Sequence, residues 1–253
     1  MLNKVPQVTL FFWVIKIMAT TVGETAADFL NTNLNLGLTN TSILMGALLL
    51  AALVGQLRKD RYVPWIYWVS VVLISVVGTL ITDNLTDNFG VPLKVTAGVF
   101  AAALALTFGV WYASEKTLSI HTIVTTRREW FYWAAILFTF ALGTAAGDLV
   151  AESLKLGYFN SALIFGAGIA IVPFCFYVFK INAILAFWLA YILTRPFGAS
   201  FGDLLSQPAG NGGLGLGTVG TSALFLAVIV GLIAYMTRAQ HRLTGGNGTR
   251  GAA

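Results

Sequence analysis

The chain has 253 residues, of which 57% are apolar and only 10% charged. A soluble domain carries about 25% charged residues, so this composition excludes one and defines an integral membrane protein. The formal net charge of +5 lies mostly in short connections between apolar runs, where it orients spans rather than binding nucleic acid, and the single cysteine, Cys175, excludes a disulfide framework.

A spanning helix needs roughly 20 mostly apolar residues. Eight such windows follow one another, at about 8–30, 39–57, 64–86, 92–113, 130–152, 160–179, 183–205 and 218–237. The first is interrupted by Lys16 and Glu24 and is not followed by a clean small-residue cleavage site, so it reads as a span rather than a removed leader. The connection "SEKTLSIHTIVTTRRE" after the fourth window divides the chain into halves. Residues 1–114 form the first, 115–129 a cytoplasmic connection and 130–238 the second. Before the last span, "GNGGLGLGTVG" lacks the Lys-Ser/Thr of a phosphate loop and reads as a flexible connection. Residues 239–253 are polar and glycine-rich, and are expected to be disordered. His121 and His241 have no companions at metal-ligand spacing. The expected fold is therefore all-α, with eight transmembrane helices and no soluble domain.

One side of the membrane receives Lys4, Arg58, Lys59, Arg61, Lys116, Arg127, Arg128, Lys180, Arg238, Arg242 and Arg250, the other only Lys94 and Lys155. The positive-inside rule then places both termini in the cytoplasm.

Four of the windows repeat one pattern. "FFWVIKIMATTVGETAADFL", "IYWVSVVLISVVGTLITDNL", "FYWAAILFTFALGTAAGDLV" and "AFWLAYILTRPFGASFGDLL" all read aromatic-Trp-x9-Gly-x4-Asp. The motif residues are Trp13, Trp68, Trp133 and Trp188; Gly23, Gly78, Gly143 and Gly198; Asp28, Asp83, Asp148 and Asp203. Each repeat holds one motif helix and one plainer helix, and an even number of spans makes the repeats parallel rather than inverted. On these residues the chain resembles a bacterial integral-membrane family of four tandem two-span repeats of unknown function, each with a characteristic tryptophan, over about residues 5–238. The resemblance implies an eight-span protein of a bacterial inner membrane and brings no activity with it.

Residues four apart share a helix face. In steps of four, the motif helices present Lys16, Thr20, Glu24, Asp28 and Thr32; Val71, Ser75, Thr79, Asp83 and Asp87; Ile136, Phe140, Thr144, Asp148 and Glu152; and Tyr191, Arg195, Ala199, Asp203 and Gln207. Seven of the ten acidic residues lie on these stripes, toward the extracytoplasmic end. A charge near the bilayer centre costs about 2.5–3.5 kcal/mol even on the lenient insertion scale, so these groups should face one another or water. Gathering the motif helices around one axis would make an acidic vestibule of Glu24, Asp28, Asp83, Asp148 and Asp203, with Asp87 and Glu152 as an outer set. Carboxylate oxygens suit Mg, Ca or Mn, so the five are candidate metal or substrate ligands. The competing structural reading has each Gly-x4-Asp packing or capping a helix, and it weighs most at Asp83 and Asp148. For the tryptophans, the expected role is an aromatic belt at the cytoplasmic interface.

Lys16, Glu24 and Arg195 each occur in one repeat only. Arg195 lies about 12 Å deeper than Asp203 at 1.5 Å per residue, beside Pro196, which disturbs the local backbone bonding. Glu24 is its natural partner, as a static lock or as a switch with Lys16 further in, and the three are candidate gating or coupling residues.

These patterns lead to an inner-membrane secondary transporter of a cation, most specifically a divalent metal such as manganese, with export and proton exchange as further expectations. A proton-coupled carrier of an anion or small carboxylate through Arg195 and Lys16, and a membrane sensor or structural subunit, are the alternatives. No Ser/His, Cys/His or His-Glu-x-x-His constellation occurs on the spans, so an enzyme is not expected. No cofactor is expected either; the expected partners are a small ion or molecule and membrane lipid.

Overall fold

The computed structural model describes residues 2–245, with side chains to residue 238. It contains eight long helices and, among the described residues, no strand: α1 (Leu10–Asp28), α2 (Gly37–Leu57), α3 (Pro64–Asp83), α4 (Leu93–Glu115), α5 (Thr126–Asp148), α6 (Gly157–Val178), α7 (Ala183–Ser206) and α8 (Gly217–Gly245). All eight are long and apolar enough to cross a membrane. The helix starts follow from local chemistry. Thr9 and Thr125 accept the N–H of Phe12 and Arg128, Asn182 accepts those of Ile184 and Leu185, and Pro64 opens α3. The Thr125 cap starts α5 four residues ahead of the expected window. α8 runs to Gly245, past residue 238 where a disordered tail was expected. The stretch Arg238-Ala-Gln-His-Arg-Leu243 is rich in good helix formers, so the helix continues beyond its apolar span. The rest of the expected tail, 246–253, and the side chain of His241 lie outside the described residues.

The motif helices α1, α3, α5 and α7 form a closed ring in that order, and each plain helix packs on the next motif helix: α2 on α3, α4 on α5, α6 on α7, and α8 back on α1. Motif helices are 56–72% buried and plain helices 11–28%, which makes the former the inner layer and the latter the lipid-facing one. Exposed Ile43, Leu106, Leu163 and Val230 show the same division from the outside.

The repeated glycines close the ring. A Cβ on Gly23 would strike Ser75, one on Gly143 would strike Arg195 and Pro196, one on Gly198 would strike Thr20, and one on Gly78 would lie 2.7 Å from Phe140 Cβ. In all four cases the struck residue is the one three places before the next helix's own glycine. Between helices in lipid, where little hydrophobic force acts, close approach over small residues supplies the packing.

The motif tryptophans correct the belt expectation. Trp68, Trp133 and Trp188 are 1%, 2% and 4% exposed and Trp13 is half-buried. They pack with Phe12, Tyr67, Tyr132 and Tyr191 into an aromatic layer across the bundle. Trp68 donates to the Tyr62 hydroxyl at 3.1 Å and Trp188 to the Leu118 carbonyl at 3.0 Å. Only Trp65 and Trp130, just outside the motif positions, are exposed as a belt requires. The motif tryptophans lie on the inward face of the helix, so burial in the ring outweighs their interfacial preference.

Candidate functional site

Each of α1, α3 and α5 ends at its motif aspartate and continues as one π-helical turn, Phe29–Asn33, Asn84–Asn88 and Leu149–Ser153. In each turn the residue after the segment donates back five places, Leu34 to Phe29, Phe89 to Asn84 and Leu154 to Leu149, at 2.9–3.0 Å. Such widened turns occur often at functional sites. The fourth repeat lacks one: α7 stops at Ser206, ahead of Gln207 and Pro208.

The ring brings all seven stripe acids to one cavity of about 240 Å³, lined by Glu24, Asp28, Asp83, Asp87, Asp148, Glu152 and Asp203, with Tyr158 and Gln207 at its wall. Exposure falls inward. Asp87 and Glu152 are exposed at the mouth, Asp28, Asp83 and Asp148 are half-buried, and Asp203 and Glu24 are buried at 7% and 5%. Asp28 accepts from Gln207 Nε2 at 3.4 Å and Glu152 from the Tyr158 hydroxyl at 3.3 Å. Asp28, Asp83 and Asp148 form no side-chain capping bond at the helix junctions they occupy. The capping alternative thus has no bond behind it, whereas the glycine half of the motif does pack helices.

At the floor of the cavity Arg195, wholly buried, reaches across the axis from α7. Its Nη2 donates to Glu24 Oε2 at 3.0 Å, to Thr144 Oγ1 at 2.7 Å and to Thr79 Oγ1, and Nη1 donates to the Thr20 carbonyl at 3.3 Å. Thr79 also donates to Glu24 Oε2 at 3.1 Å. The expected pair of Glu24 and Arg195 is therefore formed. Thr79 and Thr144, which complete its cradle, were visible on the stripes as the counterparts of Glu24 in the second and third repeats, but nothing in spacing alone marked them as partners of an arginine one turn deeper. Gly143 leaves the space that the Arg195 stem fills.

Lys16 does not join the acids. Its Nζ donates to the Tyr191 carbonyl at 3.1 Å and lies 4.2 Å and 5.0 Å from the ring centres of Tyr191 and Phe140. Beyond it the hydroxyls of Tyr67 and Tyr132 meet at 2.5 Å. At the far end Asn3 and Lys4 hydrogen-bond to Tyr62, Ile123 and the end of α2, and buried Lys4 pairs with Glu129 at 2.7 Å while Gln56 donates to the other Glu129 oxygen at 3.0 Å. Lys4 and Glu129 read from the sequence as connection residues; their pairing spans 125 positions and left no local signal. The axis is thus open at the acidic end and filled at the other.

A ring of parallel helical repeats around a polar axis, with one end open and acidic, defines a polytopic membrane protein with an internal pseudo-fourfold. The model of the family described as Repeat of Unknown Function (DUF347) matches residues 11–62, 66–117, 131–182 and 186–242, and the chain belongs to that family. No curated protein and no solved structure matches it.

Proposed function

We propose that this protein is a secondary transporter of a cation, with the acidic cavity as its binding vestibule. The observation that carries the reading is the convergence of seven carboxylates from three different helix-turn units and α7 on one cavity, graded from an exposed mouth to a buried floor. Hard oxygen donors favour a divalent metal, manganese being the first to test. Proton exchange and export are extensions of the same reading. The excess of Lys and Arg at the closed end supports placing that end and both termini in the cytoplasm of a bacterial inner membrane.

The anion reading has less behind it. Both terminal nitrogens of Arg195 donate to groups of the chain itself, and Lys16 sits between aromatic rings, away from the cavity. A sensor or structural subunit would need neither the open mouth nor the inward gradient. The test is a stability screen of the purified protein against divalent metals and small carboxylates at two pH values, followed by flux in vesicles. A metal-dependent shift that Asp28→Asn with Asp203→Asn abolishes supports the proposal. An unchanged flux in that variant, with expression intact, sinks it.

A further inference from the structure

Resting on the transport reading above, we infer that Glu24, Asp148 and Asp203 form the seat of a single divalent cation, and that Arg195 is a built-in counter-cation that holds its affinity down so the ion can leave.

Among the seven acids, Glu24, Asp148 and Asp203 can each offer one oxygen within 4.8 Å of the other two. Two oxygens bound to one ion at 2.0–2.6 Å lie at most about 4–5 Å apart, so this trio, and not the wider ring, has the spacing of one coordination sphere. Two further observations point to a ligand. Asp203 is only 7% exposed, lines the cavity, and its carboxylate accepts no hydrogen bond from the described residues, so its oxygens are left to whatever occupies the cavity. The same floor already holds a cation of the chain, because the Arg195 guanidinium binds Glu24. Both bonds to Glu24 end on Oε2, which leaves Oε1 for a second cation. Arg195 and an incoming ion can therefore share Glu24, as a bridging carboxylate does.

The charges decide what Arg195 does there. With all three acids ionised the seat carries three negative charges, reduced to two by Arg195, and the guanidinium repels whatever binds beside it. Without Arg195 an ion would meet the full set of carboxylates with no guanidinium beside it, and would bind tightly and leave slowly. Coulomb repulsion scales with the charge of the ion, so Arg195 weakens a divalent ion by twice as many logarithmic units as a monovalent one at the same position. A residue that merely holds α7 against α1 would show no such scaling.

The experiment measures Mn²⁺ binding, and Na⁺ binding by competition, on the purified full chain in detergent. Arg195→Gln should lower the Mn²⁺ Kd at least tenfold and the Na⁺ Kd by about the square root of that factor. Arg195→Lys, which keeps the charge, should stay within threefold of wild type, as should the distant surface control Arg127→Gln. Because a buried unpaired Glu24 strains folding, a second comparison removes the pair together. Glu24→Gln with Arg195→Gln should bind Mn²⁺ at least tenfold more tightly than Glu24→Gln alone, although both keep the same two aspartates. The inference is overturned if folded Arg195→Gln binds Mn²⁺ no more tightly than wild type, or if Arg195→Lys tightens it equally. Folded wild-type protein that binds Na⁺ but no Mn²⁺, Mg²⁺ or Ca²⁺ overturns the divalent seat, and one that binds none of the four removes the transport reading itself, whereas wild-type binding without tightening in the variants removes only the role given to Arg195.

Discussion

Arg195 on α7 and Glu24 on α1, 171 residues apart in the chain, meet at 3.0 Å on the axis of the bundle, with both side chains almost wholly buried. The pair couples the first and last motif helices, and so the two ends of the repeat array, at the level where the acidic cavity stops. Removing one partner of a buried pair strands the other charge and costs about 3–5 kcal/mol, whereas replacing both together is often near neutral. Arg195→Met and Glu24→Leu should each lower unfolding stability in micelles by that amount, and the double variant should lose far less than the sum. Additive losses in the double-mutant cycle would show that the two do not interact.

The motif glycines make a second, sterically defined prediction. Gly78→Val and Gly143→Val should each destabilise by about 1–3 kcal/mol or more, because both positions are occupied by the neighbouring helix. Gly98→Ala and Gly109→Ala, on α4 with nothing within 4 Å, should be neutral or slightly stabilising. Thermal unfolding of the four variants separates the sets, and equal losses in both would contradict the ring packing.

The far end of the axis is held by Lys4 and Glu129. Lys4→Ala leaves Glu129 buried with only Gln56 as a partner, and should release residues 3–8 to fast amide hydrogen exchange at a stability cost of about 3–5 kcal/mol. Unchanged exchange at Lys4, whose own N–H donates to the Ile123 carbonyl at 3.0 Å, would mean that the ion pair does not anchor this segment.

Tryptophan positions divide in the same way. Trp133→Ala, in the aromatic layer, should cost about 3–5 kcal/mol, while Trp65→Ala, 56% exposed, should stay within about 1 kcal/mol of wild type. A comparable loss at both would restore the interfacial-belt reading for the motif tryptophans.

The spans, the fourfold repeat and the direction of the acidic stripes were legible in the residues because each is a property of one helix in lipid. Apolar length sets a span, and a stripe of costly charges must turn inward whatever its neighbours are. The π-helical turns were not legible, since "DFLNTN" and "DNLTDN" differ little from ordinary helix ends in propensity.

By itself the sequence determined eight helices, their parallel repetition, and the face on which Glu24, Asp28, Asp83, Asp148 and Asp203 lie, because hydrophobic periodicity reports each residue's environment one helix at a time. Only the tertiary structure decided that Gly143 makes room for Arg195, that Thr79 and Thr144 join Glu24 around its guanidinium, that Lys16 is enclosed by Tyr191 and Phe140, and that Lys4 closes the opposite end on Glu129. Those are contacts between segments 51 to 175 positions apart, set by how four helices approach over their glycines, and no local pattern carries that geometry.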